Sequence, residues 1–386
     1  MNKVRLGIIG MGGMGNVHFN NASKMERVEV TAICDIEPQK MEKFPPNILR
    51  FDNSASLIAS GKVDAIVIST PHYFHPDIAI DGLRHKLHVL TEKPIAVHIN
   101  DAKRMLSAHT DRTRVFAVMF QQRTNPAFKK LKEMITEGIT GDLLRVNWIV
   151  TDWFRTEAYY ASGGWRATWK GEGGGVLLNQ CPHNLDLLQW LVGMPQKVIS
   201  TIGIGRYHNI EVEDDVTAIL EYPDGVTGVF TTTTGISPGT NRLELSFENG
   251  RIILENQKLI FSKNEMPVSE YRKTSNDMWG VPPYSNIEYD FTGQYGGQHA
   301  EVLQNFIDAI LDGKELIAPA EEGIHSLMLG NAMFLSGFLK EPVSLPIDGD
   351  LYEETLQSLI KNSKFVKSPV KTDVVGDITK SFGVKR

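Results

Sequence analysis

The chain has 386 residues, 41% of them hydrophobic and 22% charged, with a formal net charge of −6. That length points to two or three domains, and the balance is that of an ordinary globular protein. The slight acidity excludes a basic field for nucleic acid or anionic lipid, and two cysteines, Cys34 and Cys181, are too few for a disulfide framework.

The N-terminus, MNKVRLGIIGMGGMG, joins basic residues to an apolar run, but glycines interrupt the run and no small-residue cleavage site follows. No run reaches the roughly 20 apolar residues of a membrane span. A reducing, cytoplasmic setting is expected, with no membrane partner.

Up to about residue 122, short apolar runs (RLGIIG, VEVTAICD, DAIVIST, LHVLTEKP and VFAVMFQ) alternate with amphipathic segments such as HPDIAIDGLRHK. The runs are rich in Val and Ile with little alternation, as in strands buried on both faces. This rhythm predicts an α/β protein with a doubly wound parallel sheet. After Gly141 the pattern changes. DLLRVNWIVTDWFRT alternates, and GEGGGVLLNQCPHNLDLLQWL, at 171–191, runs three glycines into an amphipathic segment. Strands then recur at short intervals from Lys197 to Ser262, separated by the turn sequences YPDGV and ENGR. A mostly antiparallel sheet with one free face is expected, followed by helices near 298–311 and 321–339. The expected division is 1–122, 123–345 and a C-terminal segment, 346–386, whose lysine-rich end from 361 reads as a solvated tail.

GIIGMGGMG sets Gly10, Gly12 and Gly15 in a G-x-G-x-x-G pattern, with Gly13 and Met14 completing the turn, and Asp35 ends the next strand 20 positions after Gly15. Strand, glycine turn, helix and strand-end acid together are the dinucleotide fingerprint. The glycines let the backbone approach a pyrophosphate at a helix N-terminus, and Asp35 accepts from the adenosine ribose hydroxyls. A carboxylate repels a 2′-phosphate and no Arg follows, so NAD is favoured over NADP, although Lys40 stands close by in sequence. TEKPIA places Glu92 and Lys93 at the carboxyl edge of a parallel sheet, where ligands of such sheets bind.

The G-x-G-x-x-G start, the strand-end acid, TPHYFH, EKP and the glycine-rich turn into an Asn/His helix occur in one order. This combination resembles the Gfo/Idh/MocA family over about residues 4–345. The resemblance implies a Rossmann domain followed by an α/β domain with a large open sheet, through which members assemble as homodimers or homotetramers. It also implies hydride transfer between a secondary hydroxyl of a sugar, glycoside or cyclitol and a nicotinamide cofactor. Two alternatives come with it: glycoside cleavage through a keto-sugar, and a non-catalytic nucleotide-binding regulator. On this resemblance Lys93 polarises or deprotonates the reacting hydroxyl and His183 is the acid–base residue. Asn179 stands where the family has an aspartate. An amide orients a hydroxyl or an imidazole but supplies no charge and no base. The turn read T-P-N in the family is Thr70-Pro71-His72 here.

If 177–191 is one helix, Asn179, His183 and Asp186 share a face, and Asp186 either orients the His183 ring or faces solvent. Trp153 and Trp165, in an aromatic-rich loop, either stack on a sugar or make an oligomer contact. Arg123 and Arg166 are candidate anchors for substrate hydroxyls, with Tyr284 and His299 as further candidates from a later segment. His72 and His75 are three apart, but without cysteines or carboxylates beside them no metal is expected, and His75 is assigned a hydrogen bond beside the nicotinamide pocket.

Overall fold

The computed structural model describes residues 2–367. The Val- and Ile-rich runs form β1 (Val4–Ile9), β2 (Val28–Cys34), β3 (Leu49–Phe51), β4 (Ala65–Ile68), β5 (His88–Thr91) and β6 (Phe116–Val118). They make one parallel sheet in the order β3-β2-β1-β4-β5-β6. Leu6, Ile8, Ile66, Val67, Val89 and Leu90 are fully buried, because helices cover both faces. Those helices include α1 (Gly13–Ala22), α2 (Ser54–Ala59), α3 (His75–Arg84) and α4 (Ile99–Ala108). β3 has no counterpart in the sequence reading; LRF is too short and too exposed to carry a periodic signal. The strand order reverses between β1 and β4, which opens a crevice beyond their carboxyl ends.

The second sheet has nine strands in the order β14-β13-β12-β11-β7-β10-β9-β8-β15. They are β7 (Leu143–Val150), β8 (Lys197–Ile204), β9 (Glu213–Glu221), β10 (Thr227–Thr233), β11 (Asn241–Phe247), β12 (Gly250–Glu255), β13 (Lys258–Asn264), β14 (Tyr284–Asp290) and β15 (Val343–Ser344). All neighbours are antiparallel except β7 and β10. Alternation divides its faces: Trp148, Ala218, Leu220 and Phe230 are buried, while Ile149, Ile219 and Val229 are among the exposed large hydrophobics. The remaining helices are α5 (Pro126–Thr136), α6 (Glu157–Ala161), α7 (Pro182–Val192), α8 (Val268–Thr274), α9 (Gln298–Asp312), α10 (Ala320–Leu339) and α11 (Gly349–Asn362).

The chain returns late to the first sheet. Val302, Leu303, Phe306 and Ile307 of α9 pack with Leu6 and Ile8, and Val118 N–H donates to Ala318 O at 3.1 Å. Two expectations change. The helix of the glycine stretch begins only at Pro182, so Asn179 precedes it in a turn instead of sharing a helical face with His183 and Asp186. The first residues of the expected tail are not free: Lys367 Nζ donates to Tyr160 O at 2.8 Å, while 368–386 lie outside the described residues. Among the described residues no helix is long and apolar enough to cross a membrane.

Candidate active site

The β1–α1 turn is built for close backbone approach. A Cβ on Gly15 would stand 2.0 Å from Gly10 O, so the helix packs directly on the strand end. A Cβ on Gly12 would meet nothing within 4 Å, so the turn is open outward at that point. Gly13 and Met14 begin α1, a helix of 10 residues whose N-terminus has no side-chain cap. Its first N–H groups and dipole therefore face the opening, a fit for a pyrophosphate. Asp35, 7% exposed, directly follows β2 and accepts from Met11 N–H at 2.8 Å and Glu37 N–H at 2.9 Å. Lys40 Nζ lies 2.6 Å from Glu37 Oε1 and 3.8 Å from Asp35 Oδ1, so its charge is already shared between two carboxylates. Across the crevice, Thr70 Oγ1 is buried without a hydrogen-bond partner, beside Pro71. Open glycine, uncapped helix, strand-end acid and orphaned hydroxyl together fit a dinucleotide.

Beyond β5, Lys93 Nζ donates to Asn179 O at 2.8 Å. Burial lowers the Lys93 ammonium, Glu92 and Glu172 raise it, and Arg166 and Arg155 lower it. Glu92 accepts from His18 Nε2 at 2.8 Å. Burial pushes the Glu92 carboxyl up, but the His18 hydrogen bond and the charges of His18, His299 and Lys93 outweigh it and hold it at about 2. His299 is buried 6.0 Å, ring to ring, from His18, and burial brings it down to about 4.

The three glycines have a steric reason. The segment lies flush on the start of β9: a Cβ on Gly175 would stand 1.9 Å from Glu213 O, and the Glu213 carboxylate accepts from Gly175 N–H at 2.9 Å and Leu177 N–H at 3.2 Å. Gly173 has φ +88° and would otherwise strike Val97. This pinned turn delivers Asn179 to Lys93 and starts α7 at Pro182, with His183 in its first turn. His183 Nε2 lies 3.0 Å from Gln121 Nε2, and both His183 Nδ1 and Gln121 Oε1 are buried without a partner. Burial, reinforced by Lys93 and His299, holds the imidazole well below the ordinary histidine range, so it is neutral and able to accept a proton.

The aromatic loop borders this cluster. Arg166 Nη1 donates to Tyr159 Oη at 3.0 Å, its guanidinium lies over Trp165 at 4.6 Å, and Trp165 meets His72 edge-to-face at 5.5 Å. His72 Nδ1 lies 3.3 Å from Glu172 O. Trp153 Nε1 donates to Asn184 Oδ1 at 3.1 Å, next to His183 in the chain.

Several candidates belong elsewhere. Arg123 is 1% exposed and commits its guanidinium to Asp186, at 2.6 and 2.8 Å, to Ile317 O at 3.1 Å and to Glu322. It anchors the fold and offers nothing to a substrate. Asp186 is consumed by the same pair and by Gln189 at 3.1 Å, so it does not orient His183. Both ring nitrogens of His75 face main-chain carbonyls, Pro94 O and Thr70 O, each at 2.9 Å; it ties β4 to the Lys93 loop and leaves no nitrogen for a cofactor. Tyr284 stands 59% exposed on the edge strand β14. Among the described residues no group of three His, Cys, Asp or Glu is arranged to hold a metal.

Gln121, His18, Glu172 and Glu213 escaped the sequence reading. Gln121 had one usable signal, a polar residue just past a parallel strand's carboxyl end. Glu172 lay inside the glycine stretch itself, where the glycines drew the attention.

An oxidoreductase family with an NAD-binding Rossmann fold matches residues 4–120, and the GFO/IDH/MocA C-terminal domain matches residues 128–253. Myo-inositol 2-dehydrogenase of Thermotoga maritima is 24% identical over 342 residues, covering 85% of this chain and 95% of that protein. The WlbA dehydrogenase of Bordetella pertussis, solved with NADH and UDP-GlcNAcA, is 26% identical with a TM-score of 0.74, covering 90% of this chain and 100% of that one. A levoglucosan dehydrogenase solved with NADH and levoglucosan shares the fold, with a TM-score of 0.74 at 20% identity over 89% of this chain and 99% of that one.

Proposed function

The chain belongs to the Gfo/Idh/MocA family of oxidoreductases with an NAD-binding Rossmann fold, and from that premise we propose that it oxidises a secondary hydroxyl of a sugar, glycoside or cyclitol with NAD. The observation that carries this reading is the meeting of Lys93 with the Asn179–His183 turn at the carboxyl edge of the nucleotide-binding sheet.

The bound nicotinamide supplies the hydride acceptor; the chain supplies position and field. His183, neutral in its buried setting, takes the hydroxyl proton. The nitrogen for this is Nδ1, which has no protein partner. With the Gln121 amide turned so that Oε1 accepts from Nε2–H, the ring carries its lone pair on Nδ1. Lys93 donates to the oxygen as negative charge develops there, and the low-dielectric setting strengthens that interaction. The Asn179 side chain orients a neighbouring hydroxyl. Trp153, Trp165 and Arg166 border the sugar, the rings offering apolar faces to its C–H groups. Keto-sugar reduction uses the same groups in reverse.

On this reading residues 1–122 hold the nucleotide, 123–345 hold the substrate and mediate assembly, and 346–386 form the C-terminal segment. The exposed apolar residues Ile149, Ile199, Ile219 and Val229 on the nine-stranded sheet support a homodimer or homotetramer through that face. The two buried free thiols accord with a cytoplasmic location.

The test is a screen for NAD and NADP reduction over inositols, hexoses, glycosides and uronates, with keto-sugars and NADH in reverse. NADH formation with at least one polyol, lost in Lys93→Ala and His183→Ala, is expected. Failure across the panel in both directions overturns the reading. Wild-type turnover in His183→Ala sinks His183 as the base, and equal affinity for NADP and NAD sinks the role of Asp35.

A further inference from the structure

Asn179 brings an uncharged amide beside Lys93, and a buried carboxylate stands behind that amide. Resting on the reading above, we propose that Glu172 is a positioning residue for the oxidation: its buried carboxylate orients the Asn179 amide and, through it, steadies the Lys93 ammonium.

Glu172 is 2% exposed. A carboxylate so buried is costly unless both oxygens are satisfied. Oε2 accepts from Ala167 N–H at 2.6 Å, and Oε1 accepts from Asn179 Nδ2. Arg166 Nη1 lies 3.8 Å from Oε1. Both oxygens therefore act as acceptors, the pattern of the ionised form. A continuous path runs from Glu172 through the Asn179 side chain and backbone to Lys93, whose Nζ donates to Asn179 O at 2.8 Å.

Three consequences follow from that path. A carboxylate can only accept, so it selects Nδ2 of Asn179 and turns Oδ1 away as an acceptor for a substrate hydroxyl. An aspartate at 179 would set two carboxylates against each other, and one would have to hold a proton. Glu at 172 and Asn at 179 are thus a matched pair of acceptor and donor. Glu172 also reaches the substrate loop. Ala167, the residue after Arg166, sits at φ +54°, a left-handed conformation unfavourable for alanine, and its N–H is the one that Glu172 holds.

The charges around this path come from every side. Glu92, at the end of β5, also raises Lys93, but it already accepts from His18. Arg166 and Arg155 of the loop, with His299 and His183 opposite, oppose a proton on Lys93 or are disfavoured by it. Burial raises the Glu172 carboxyl above the ordinary carboxylate range, against Arg166, the Ala167 and Asn179 hydrogen bonds and Lys367 of the C-terminal segment, which lower it. Burial lowers the Lys93 ammonium overall, and Glu172 is the second of two carboxylates that act against that shift.

The experiment measures the pH dependence of Lys93 labelling by an amine-specific reagent in the full chain, read by mass spectrometry without any substrate. Glu172→Gln is expected to lower the labelling midpoint by about one unit, roughly tenfold more free amine at fixed pH. Glu172→Gln/Asn179→Asp is expected to restore it. In turnover, Glu172→Gln should lose kcat about 10- to 100-fold with KM for NAD unchanged, and the double variant should regain most of it. If Glu172→Gln fails to fold, Asn179→Asp alone decides: it should lose activity through carboxylate repulsion, and full activity overturns the pairing. An unchanged Lys93 midpoint in folded Glu172→Gln, or a double variant no better than the single, overturns the proposal. Labelling needs no substrate, so an empty substrate screen would count against the proposed reaction and leave this test intact.

Discussion

Gln121 Nε2 lies 3.0 Å from Nε2 of His183, two residues that stand 62 positions apart in the chain. This contact fixes the tilt of the ring, and with the amide turned so that Oε1 faces it the ring keeps its proton on Nε2 and its lone pair on Nδ1. Gln121→Leu keeps the bulk and removes the bond. It should lower kcat about 10- to 100-fold, as loss of an orienting contact does, with little change in KM for NAD. Leaving the buried ring nitrogen unpaired should cost about 1–3 kcal/mol in stability. Steady-state kinetics with thermal unfolding checks both; wild-type kcat would remove Gln121 from the site.

The pH–rate profile follows from the same ring. Burial and the nearby Lys93 and His299 hold His183 well below the ordinary histidine range. As pH falls through the ordinary histidine range, the imidazole stays unprotonated and stays a base. The kcat/KM for oxidation should therefore show no limb near 6.5. An acidic limb at that value, abolished in His183→Ala, would contradict the buried neutral ring.

Arg123 and Asp186 form an ion pair in which both side chains are 1% exposed. Removing one partner strands the other charge in a low dielectric. Arg123→Ala should lose about 3–5 kcal/mol of stability in denaturant unfolding. Whatever folds should keep its KM for the polyol, because Arg123 does not reach the cleft. A selective rise in polyol KM at unchanged stability would restore Arg123 as a substrate anchor.

Two glycines of the nucleotide turn should behave differently. Alanine at Gly12 meets no protein atom within 4 Å, so Gly12→Ala should fold with an unchanged melting temperature and bind NAD at least about tenfold more weakly. Alanine at Gly15 would stand 2.0 Å from Gly10 O and should damage the β1–α1 packing itself. Calorimetric NAD titration and thermal melts separate the two. Equal NAD affinity in Gly12→Ala and wild type would place the pyrophosphate elsewhere.

Glu213 should make stability pH-dependent. Burial raises its carboxyl from the ordinary carboxylate range to about 7, against the hydrogen bonds from Gly175 and Leu177 that lower it. Folding therefore favours the protonated acid. The stabilisation is complete below the unfolded value and is lost as pH rises through about 7, a difference on the order of 3 kcal/mol. Unfolding midpoints at acidic and at slightly alkaline pH measure it, and Glu213→Gln should flatten the slope. A wild-type midpoint that rises over this span would refute the assignment.

The sequence carried much of this protein. Gly10, Gly12 and Gly15, the strand-end Asp35, and the strand-end Glu92 and Lys93 were legible because their chemistry is local: a turn, a helix start and a strand edge are each written in a few adjacent residues. The antiparallel sheet was legible from its turn sequences for the same reason. A helix over 177–191 is what apolar spacing suggests, since that spacing continues through the turn that precedes Pro182, and only the contact of Gly175 with β9 makes that turn.

What only the tertiary structure decided is partnership. Arg123 and Asp186, 63 positions apart, found each other and left the substrate. His75 spent its ring on two carbonyls, Gln121 met His183, and α9 crossed back to the first sheet. Charge and hydrogen-bonding capacity belong to each residue and can be read one letter at a time. Which donor meets which acceptor depends on burial and on chain segments brought together over long separations, and no local pattern encodes that.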